Sequence, residues 1–434
     1  MSSRKIQADL LVFNAQEVVT CHVPEAPVPR IGRWMRDVGK ITSAAVAARR
    51  GKIVAVGSEK EVSVCLDMLP GGVELDAAGG VVVPGLVDCH THLVFAGWRS
   101  SEFVKKLEGA SYLEILETGG GILNSVRATR KASRDELVAS GLKRLDTALS
   151  LGTTTIEIKT GYGLDYDTEL KMLQVIAELD RLNPVDVVPT FMGAHAVPPE
   201  FQDRPAAFLE WMAEKVLPEV ARRSLAEFCD IFCENRVFPV ELAAPFLEKA
   251  RQLGFKIRLH ADEIEPSGGA ELAAEIRARS ADHLLKISQN GITALSEAGV
   301  TAVLLPGTGL FLGEDPAPAR RLLEAGLPLA LATDFNPGSS PTLSLPLIMN
   351  LGCVQLGMTP SETLNAVTVN AAFVLDRADA IGSLVVGKTA DMVILDAPTW
   401  NHLAYRFGEN LVITVIKDGA VVWTKNSPVE RPVS

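Results

Sequence analysis

Short apolar runs alternate with longer amphipathic stretches through the middle of the chain. Eight such runs occur, at residues 85–92, 153–163, 185–195, 229–234, 256–263, 280–284, 301–307 and 327–334. In the segments between them, such as 134–152, apolar positions recur at intervals of three and four, which is typical of helices with one buried face. Strand-helix alternation repeated eight times over roughly 250 residues predicts an α/β protein with a (β/α)8 TIM-like barrel. A doubly wound open sheet is the alternative, but polar residues follow so many of the runs that the barrel is favoured.

Both ends of the chain have a different pattern. Residues 8–20 and 43–58 resemble strands, and residues 409–424 contain an Asp-Gly pair typical of a hairpin turn. We therefore predict two domains. Residues 1–80 and 385–434 together form a small β-sandwich, and residues 81–384 form the barrel.

Composition narrows the possible partners. The 434 residues are 47% hydrophobic and 22% charged, and 42 basic against 53 acidic residues give a net charge of −11. This balance argues against nucleic acid and acidic membranes as partners, but it allows a small anionic substrate that responds to local charge. Six scattered cysteines and an N-terminus unlike a secretory signal predict a cytoplasmic protein.

Histidines concentrate at the ends of the predicted strands. Five of the seven lie there, namely His90, His92, His195, His260 and His283. His90 and His92 are two residues apart, so their side chains leave a strand on the same side. Taken alone, such a pair more often meets separate hydrogen-bond partners. Together with His260 and with Asp334 after the eighth strand, it predicts a site for zinc or iron.

Two further residues are candidates for proton transfer beside this site. Glu263 follows His260 by three residues, and His283 ends the sixth strand. Each has a simpler interpretation, because Glu263 fits the start of a helix and His283 could be held by Asp282 in a turn. Their predicted position beside a metal favours proton transfer, with Asp334 as a further acceptor for a proton from water.

The motif "PGLVDCHTHLVFAGWR" resembles the first strand of the amidohydrolase superfamily. Between about residues 75 and 395, further stretches are similar, in order, to members that open an imidazolone ring. They are "GGGILNSVRATR", "GTTTIEIKTGYGL", "TFMGAHAVPPE", "HADEIEPSGGAELAAE", "SADHL", "LLPGTGLFLG" and "ATDFNPGSSPT". The resemblance implies a hydrolase of histidine degradation that cleaves the cyclic amide C–N bond of 4-imidazolone-5-propanoate, giving N-formimidoyl-L-glutamate.

The resemblance also implies roles for individual residues. It implies one Zn²⁺ or Fe³⁺ per subunit of a homodimer, with the metal ligands His90, His92, His260 and Asp334. It assigns a catalytic role to His283, beside the proton-transfer candidates Glu263 and Asp334. It assigns substrate contacts to Arg99, Tyr162, His195, Glu263, Asn336, Gly338 and Ser339, with Tyr112 as a weaker match. The chemistry is coherent, because an arginine can pair with the propanoate through two parallel hydrogen bonds, and backbone N–H groups of residues 336–340 could meet the same carboxylate.

One departure and two alternatives bear on this interpretation. Many relatives hold two metals bridged by a carbamylated lysine that ends the fourth strand, whereas here that strand ends "FCENRVF" and Lys159 belongs to the second. This favours a single ion. The first alternative is a related mononuclear amidohydrolase acting on another cyclic amide or heterocycle. The second is an inactive homologue that serves as a scaffold, which the full set of ligands disfavours.

Overall fold

The computed structural model describes residues 5–109 and 120–425, so Tyr112 lies outside the described residues. The strands, numbered in chain order, are β1 (Ile6–Val19), β2 (Lys40–Arg49), β3 (Lys52–Ser58), β4 (Leu66–Asp76), β5 (Val81–Pro84), β6 (Leu86–Asp88), β7 (Thr153–Lys159), β8 (Asp186–Ala194), β9 (Phe228–Cys233), β10 (Lys256–Ala261), β11 (Ser280–His283), β12 (Thr301–Leu304), β13 (Leu329–Leu331), β14 (Met392–Leu395), β15 (Val412–Lys417) and β16 (Ala420–Thr424).

The helices follow the strands as the amphipathic segments predict. They are α1 (Glu59–Cys65), α2 (Ser100–Leu107), α3 (Ile122–Lys131), α4 (Arg134–Ser150), α5 (Tyr166–Leu182), α6 (Pro205–Trp211), α7 (Leu217–Arg222), α8 (Val240–Gln252), α9 (Gly269–Glu275), α10 (Gln289–Ala298), α11 (Pro306–Leu312), α12 (Ala319–Glu324), α13 (Leu345–Val354), α14 (Pro360–Ala366), α15 (Val369–Val374) and α16 (His402–Tyr405). Within the described ranges, none of these helices is long and apolar enough to span a bilayer.

The eight strands from β6 to β13 form one parallel sheet in sequence order, which confirms the predicted barrel. The first and last strands approach each other just beyond their ends, where Thr91 and Phe335 form a parallel bridge. There the amide of Asp334 donates to the carbonyl of His90 at 3.0 Å, and the amide of His92 donates to the carbonyl of Phe335 at 2.9 Å. Barrel closure therefore brings Asp334 beside His90 and His92.

The remaining eight strands form a separate mixed sheet. Its order is β16-β15-β14-β5-β1-β2-β3, and β4 also pairs with β1. Strands from both ends of the chain meet in it, because β14 runs antiparallel to β5. Apolar clusters around Val12 and around Val62 belong to this sheet and its helix α1.

Gly85 lies where the chain leaves the mixed sheet and enters the barrel. The extended chain is divided there into β5 and β6. A Cβ atom at this position would come within 2.2 Å of Oγ1 of Thr154, so the close approach of β7 requires glycine.

The chain divides into two compact units. One comprises residues up to 89 together with 146–155 and 344 onward, and the other comprises residues 90–145 and 156–343. The second unit contains the histidines and acids of the candidate site. The sequence-based boundaries, 1–80 with 385–434 and 81–384, stay a prediction.

Candidate active site

Four side chains predicted as metal ligands converge at the ends of their strands. His90 and His92 follow β6, His260 lies in β10, and Asp334 follows β13. The Nε2 atoms of His90 and His92 lie 3.4 and 3.6 Å from Oδ1 of Asp334. Nε2 of His260 lies 3.3 Å from Nε2 of His92. All four residues are at least 98% buried.

These separations fit a single metal ion. A tetrahedral ion with bonds of about 2.0–2.1 Å separates its ligand atoms by about 3.3–3.4 Å. The buried Nε2 of His90 finds no hydrogen-bond partner among the described residues, as expected for a lone pair reserved for an ion. His90, His92 and Asp334 form one group whose ligand atoms all lie within 4.8 Å, and His90, His260 and His283 form another.

Carboxylates orient two of the ligand imidazoles. Asp282 lies 2.6 Å from Nδ1 of His90, and Asp230 lies 3.1 Å from Nδ1 of His260. Because a carboxylate accepts, each imidazole carries its proton on Nδ1 and presents the lone pair of Nε2 to the site. Asp334 is fixed in turn, since the hydroxyl of Thr308 donates to its Oδ2 at 2.5 Å.

Burial controls ionisation around the site. It lowers the pKa of His90 and of His92 well below the usual histidine range, so both rings are neutral, as ligands must be. In the protein without a metal, burial raises the pKa of Asp334 to about 6, against the opposing hydrogen bond from Thr308. A cation beside this carboxylate would favour its ionised form.

Glu263 and His283 lie together, as the proton-transfer hypothesis requires. Nδ1 of His283 is 3.6 Å from Oε1 of Glu263. Burial, with the nearby charges of Asp334 and Glu234, raises the pKa of Glu263 well above its usual range. Burial lowers the pKa of His283 well below the usual histidine value. A protonated acid beside a neutral base is the arrangement that can move a proton at neutral pH.

Backbone strain is concentrated at two of these residues. His283 has a φ of +77° and Asp334 has a φ of +51°, in the left-handed region that residues other than glycine seldom adopt. Such conformations cost roughly 1–3 kcal/mol each and persist where surrounding structure holds them. The surrounding structure therefore maintains the orientation of both side chains against the preference of the backbone.

Two predicted substrate contacts form an aromatic wall beside the ligands. The ring of His195 stacks on that of His92 with centroids 4.8 Å apart, and Tyr162 lies 5.5 Å from His195. Nδ1 of His195 is 3.1 Å from the carbonyl oxygen of Gly161, which can only accept, so Nδ1 carries the proton and Nε2 is an acceptor. Burial lowers the pKa of His195 to about 3. This wall is therefore neutral and suits a planar heterocycle.

Glu169 holds the loop that presents Tyr162. Its Oε1 accepts hydrogen bonds from the backbone amides of Gly161, Gly163 and Leu164 at 2.9–3.2 Å. Burial nevertheless raises the pKa of this carboxyl. A single buried acid thus shapes the backbone on both sides of the tyrosine.

Arg99 is held by an acid and by a glycine. Its Nε lies 2.8 Å from Oε2 of Glu102, which also accepts from the amide of Gly121 at 3.1 Å. A Cβ atom on Gly338 would lie 2.1 Å from NH1 of Arg99, so the guanidinium packs directly on this glycine. Glu102 engages Nε, and within the described residues no hydrogen bond to either terminal nitrogen of Arg99 is found.

The turn that begins at Asn336 is closed on itself. Oδ1 of Asn336 accepts from the amides of Gly338 and Ser339 at 2.8 and 2.7 Å. Its Nδ2 donates to the hydroxyl oxygen of Ser339 at 2.9 Å. The backbone donors expected to meet a substrate carboxylate are thus already engaged, and a ligand would have to displace the Asn336 oxygen to reach them.

The sequence interpretation missed the residues beneath the ligands. It considered Asp282 only as a partner for His283, whereas the structure pairs it with His90, and it gave no role to Glu157, Lys159, Asp230 or Arg258. The sequence did contain a signal for these residues, because each is a charged residue within an apolar run predicted to be a strand. Arg258 also precedes His260 by two residues, which puts both side chains on one face of the strand.

Comparison with known proteins defines the class of protein. The amidohydrolase family model matches residues 81–422, and the chain belongs to that family. Within it, the chain falls among the imidazolonepropionases. It is 50% identical over 95% of its length to an imidazolonepropionase of Geobacillus sp. (strain WCH70), covering 97% of that protein. It is 48% identical over 97% of its length to one of Alkaliphilus oremlandii (strain OhILAs), covering 99% of it.

Solved structures agree on the fold. An adenosine deaminase from Xanthomonas campestris, solved with bound zinc, superposes with a TM-score of 0.69 at 20% identity, covering 99% of this chain and 96% of that one. An N-isopropylammelide isopropylaminohydrolase from Burkholderia multivorans ATCC 17616 gives 0.69 at 19% identity, covering 98% and 100%. Likeness at this level of identity supports the architecture alone.

Proposed function

We propose that this protein hydrolyses the ring amide C–N bond of 4-imidazolone-5-propanoate to give N-formimidoyl-L-glutamate. The observation that carries the proposal is 48–50% identity with imidazolonepropionases over 95–97% of the chain. The site is consistent with it, because a cluster of residues that can bind a metal, a neutral aromatic wall and an arginine whose terminal nitrogens have no partner among the described residues match the amide, the ring and the propanoate.

We assign His90, His92, His260 and Asp334 as ligands of one Zn²⁺ or Fe³⁺ ion, since three imidazoles and a carboxylate suit either. When bound there, such an ion polarises a carbonyl oxygen and lowers the pKa of water, which makes a nucleophile available near neutral pH. The chain's part is to hold the ligands. Asp282 and Asp230 orient His90 and His260 in advance, so these imidazoles do not have to be reoriented during the reaction.

We assign proton transfer to Glu263 and His283. Hydrolysis adds water at the ring carbonyl carbon and breaks the bond from that carbon to the ring nitrogen, so a proton must leave the water and another must reach the departing nitrogen. The carboxyl of Glu263, with its raised pKa, can deliver a proton, and the neutral imidazole of His283 can accept one. Asp334 is a further acceptor for the proton of the water. The order in which Glu263 and His283 act is left open.

Substrate orientation comes from the loops. The terminal nitrogens of Arg99 can grip the propanoate in two parallel hydrogen bonds, while Glu102 fixes the guanidinium from behind. Tyr162 and His195 offer flat, neutral surfaces to the imidazolone ring. Holding both ends of the substrate selects the face of the amide that meets water.

Turnover of 4-imidazolone-5-propanoate, followed as loss of ring absorbance, tests the proposal. Purified protein reconstituted with Zn²⁺ or Fe³⁺ should hydrolyse it, and a neutral heterocycle without the carboxylate should be a far poorer substrate. Absence of turnover by the metal-replete protein would refute the activity. Equal rates on both substrates would favour a different amidohydrolase. We also propose a homodimer, which light scattering tests directly.

A further inference from the structure

Five charged side chains fill a layer of the barrel interior just below the ligand histidines. They are Glu157, Lys159, Asp230, Arg258 and Asp282, named here the buried charge cluster, and each has no measurable exposure. The interior of such a barrel is ordinarily packed with branched apolar residues. Charges removed from water at this depth are costly and often contribute no net stability, so a role other than stability is required.

The cluster is continuous. Nζ of Lys159 lies 2.7 Å from Oε1 of Glu157 and 2.8 Å from Oδ2 of Asp230. NH2 of Arg258 lies 2.7 Å from Oδ2 of Asp282, and its NH1 lies 3.3 Å from Oε1 of Glu157. Two cations thus link three carboxylates contributed by three different strands.

The same carboxylates contact the ligand-bearing segments. Asp282 binds Nδ1 of His90, and Oδ1 of Asp230 lies 3.1 Å from both the backbone nitrogen and Nδ1 of His260. Glu157 acts on the backbone, because its Oε2 accepts from the amide of Thr91 at 3.1 Å, between the two histidines of the first strand. Each carboxylate of the cluster therefore touches a ligand or the residue between two ligands.

We propose that the buried charge cluster positions the metal ligands, and that Lys159 and Arg258 are positioning residues for the ion although neither touches it. Lys159 holds Glu157 and Asp230 in place, and Arg258 holds Asp282. Removal of either cation releases a carboxylate that fixes an imidazole. The inference rests on the metal site of the proposed function. It gives Lys159, which has no part in the proposed proton transfer, a role other than that of a carbamylated bridge between two metals.

Metal affinity measured without substrate tests this inference. The variant Lys159→Met keeps the length and apolar stem of the side chain and removes the charge. Its dissociation constant for Zn²⁺, obtained by competition with a chelating dye, should rise about 10-fold to 100-fold, the range seen when partners of metal ligands are removed. The visible spectrum of the Co²⁺-loaded protein should change as well, because it reports ligand geometry.

A matched control separates positioning from general stability. Lys417 is also buried and paired, 3.3 Å from Asp391, but it belongs to the other compact unit. Lys417→Met should lower the unfolding temperature while leaving Zn²⁺ affinity and the Co²⁺ spectrum unchanged. A Lys159→Met protein whose Zn²⁺ affinity stays within twofold of the wild type overturns the inference.

If Lys159→Met fails to fold, Arg258→Met decides by the same thresholds, because it removes the cation that pairs with Asp282 and leaves Asp282, the partner of His90, in place. None of these measurements uses the substrate. Failure of this inference therefore appears as unchanged metal affinity, whereas failure of the proposed function appears as a metal-replete wild type without turnover.

Discussion

Arg99 is the residue whose replacement bears most directly on substrate choice. Its Nε is engaged by Glu102 at 2.8 Å, and in the described part of the chain its two terminal nitrogens have no hydrogen-bond partner, so we propose that they bind the propanoate. Arg99→Met removes both while keeping an apolar side chain of similar reach. The carboxylate of Glu102 retains the amide of Gly121 and the side-chain amide of Asn124 as donors, which limits disruption of the loop.

The magnitude follows from the geometry. A hydrogen bond to a charged group contributes about 1.5–3 kcal/mol. The Arg99 side chain is 21% exposed, so solvent screens it in part and the lower end applies to each of the two bonds. Their loss amounts to about 3 kcal/mol, which at 1.36 kcal/mol per decade is roughly a 150-fold fall in kcat/KM.

The change should appear mainly in KM. The propanoate lies away from the bond that breaks, so its clamp stabilises the bound substrate and the transition state alike. Steady-state kinetics on 4-imidazolone-5-propanoate, with Arg222→Met as control, measures this. Arg222 is 69% exposed and pairs only with Glu219 in the described contacts, so its replacement should leave KM unchanged.

An analogue completes the test. With the propanoate converted to its neutral amide, the wild-type protein should lose about as much kcat/KM as Arg99→Met loses on the natural substrate, and the variant should barely distinguish the two compounds. The assignment of Arg99 is wrong if the variant keeps KM within threefold of the wild type, or if it still prefers the charged compound strongly.

Three further predictions concern the packing of Arg99 on Gly338, the loop that carries Tyr162, and the metal site. Gly338→Ala should displace the guanidinium and raise KM at least tenfold with little change in kcat; an unchanged KM contradicts the packing described. The pKa of the Glu169 carboxyl is higher in the folded protein than in the unfolded chain. The stabilisation that this group contributes is therefore fully present below its unfolded pKa of about 4.3, and it is lost as the pH rises through the folded pKa. In urea unfolding between pH 4 and 8, Glu169→Gln should therefore lose less stability with rising pH than the wild type, and parallel curves would disprove this. Dialysis against a chelator should abolish turnover and added Zn²⁺ or Fe³⁺ should restore it, whereas persistent activity in metal-free protein excludes the proposed chemistry.

The barrel was predictable because local pattern and global topology agree. Each apolar run of the middle region became a strand, for example β11 within the run at 280–284. The mixed sheet was less accessible from sequence. β4 pairs with β1 although it contains Pro70, Gly71 and Gly72, and helix α1 interrupts a region predicted to be strands. Pairing with a neighbour outweighed local propensity in that sheet.

The upper part of the site was predictable for a chemical reason. Histidines and acids at the ends of parallel strands must gather at one rim, so His90, His92, His260 and Asp334 could be grouped without coordinates. The contacts within the buried charge cluster could not be predicted. Asp282 is in register with His260 on the neighbouring strand, yet its side chain reaches His90. Which charges meet inside a closed barrel depends on strand tilt and closure, and no linear pattern encodes either.

The proposed metal ligands and the proposed substrate contacts lie in different parts of the fold. The buried charge cluster lies within strands whose backbone is fixed on both sides, and the proposed ligands lie in those strands or directly after them, which suits an ion that tolerates little displacement. Arg99 and Tyr162 lie in segments after the strands, where a change in sequence alters the surface offered to a substrate. Asn336 differs from them, because its Nδ2 donates to the carbonyl of Asp334 at 2.8 Å. We therefore expect substitutions at Arg99 and Tyr162 to alter substrate preference more than metal affinity.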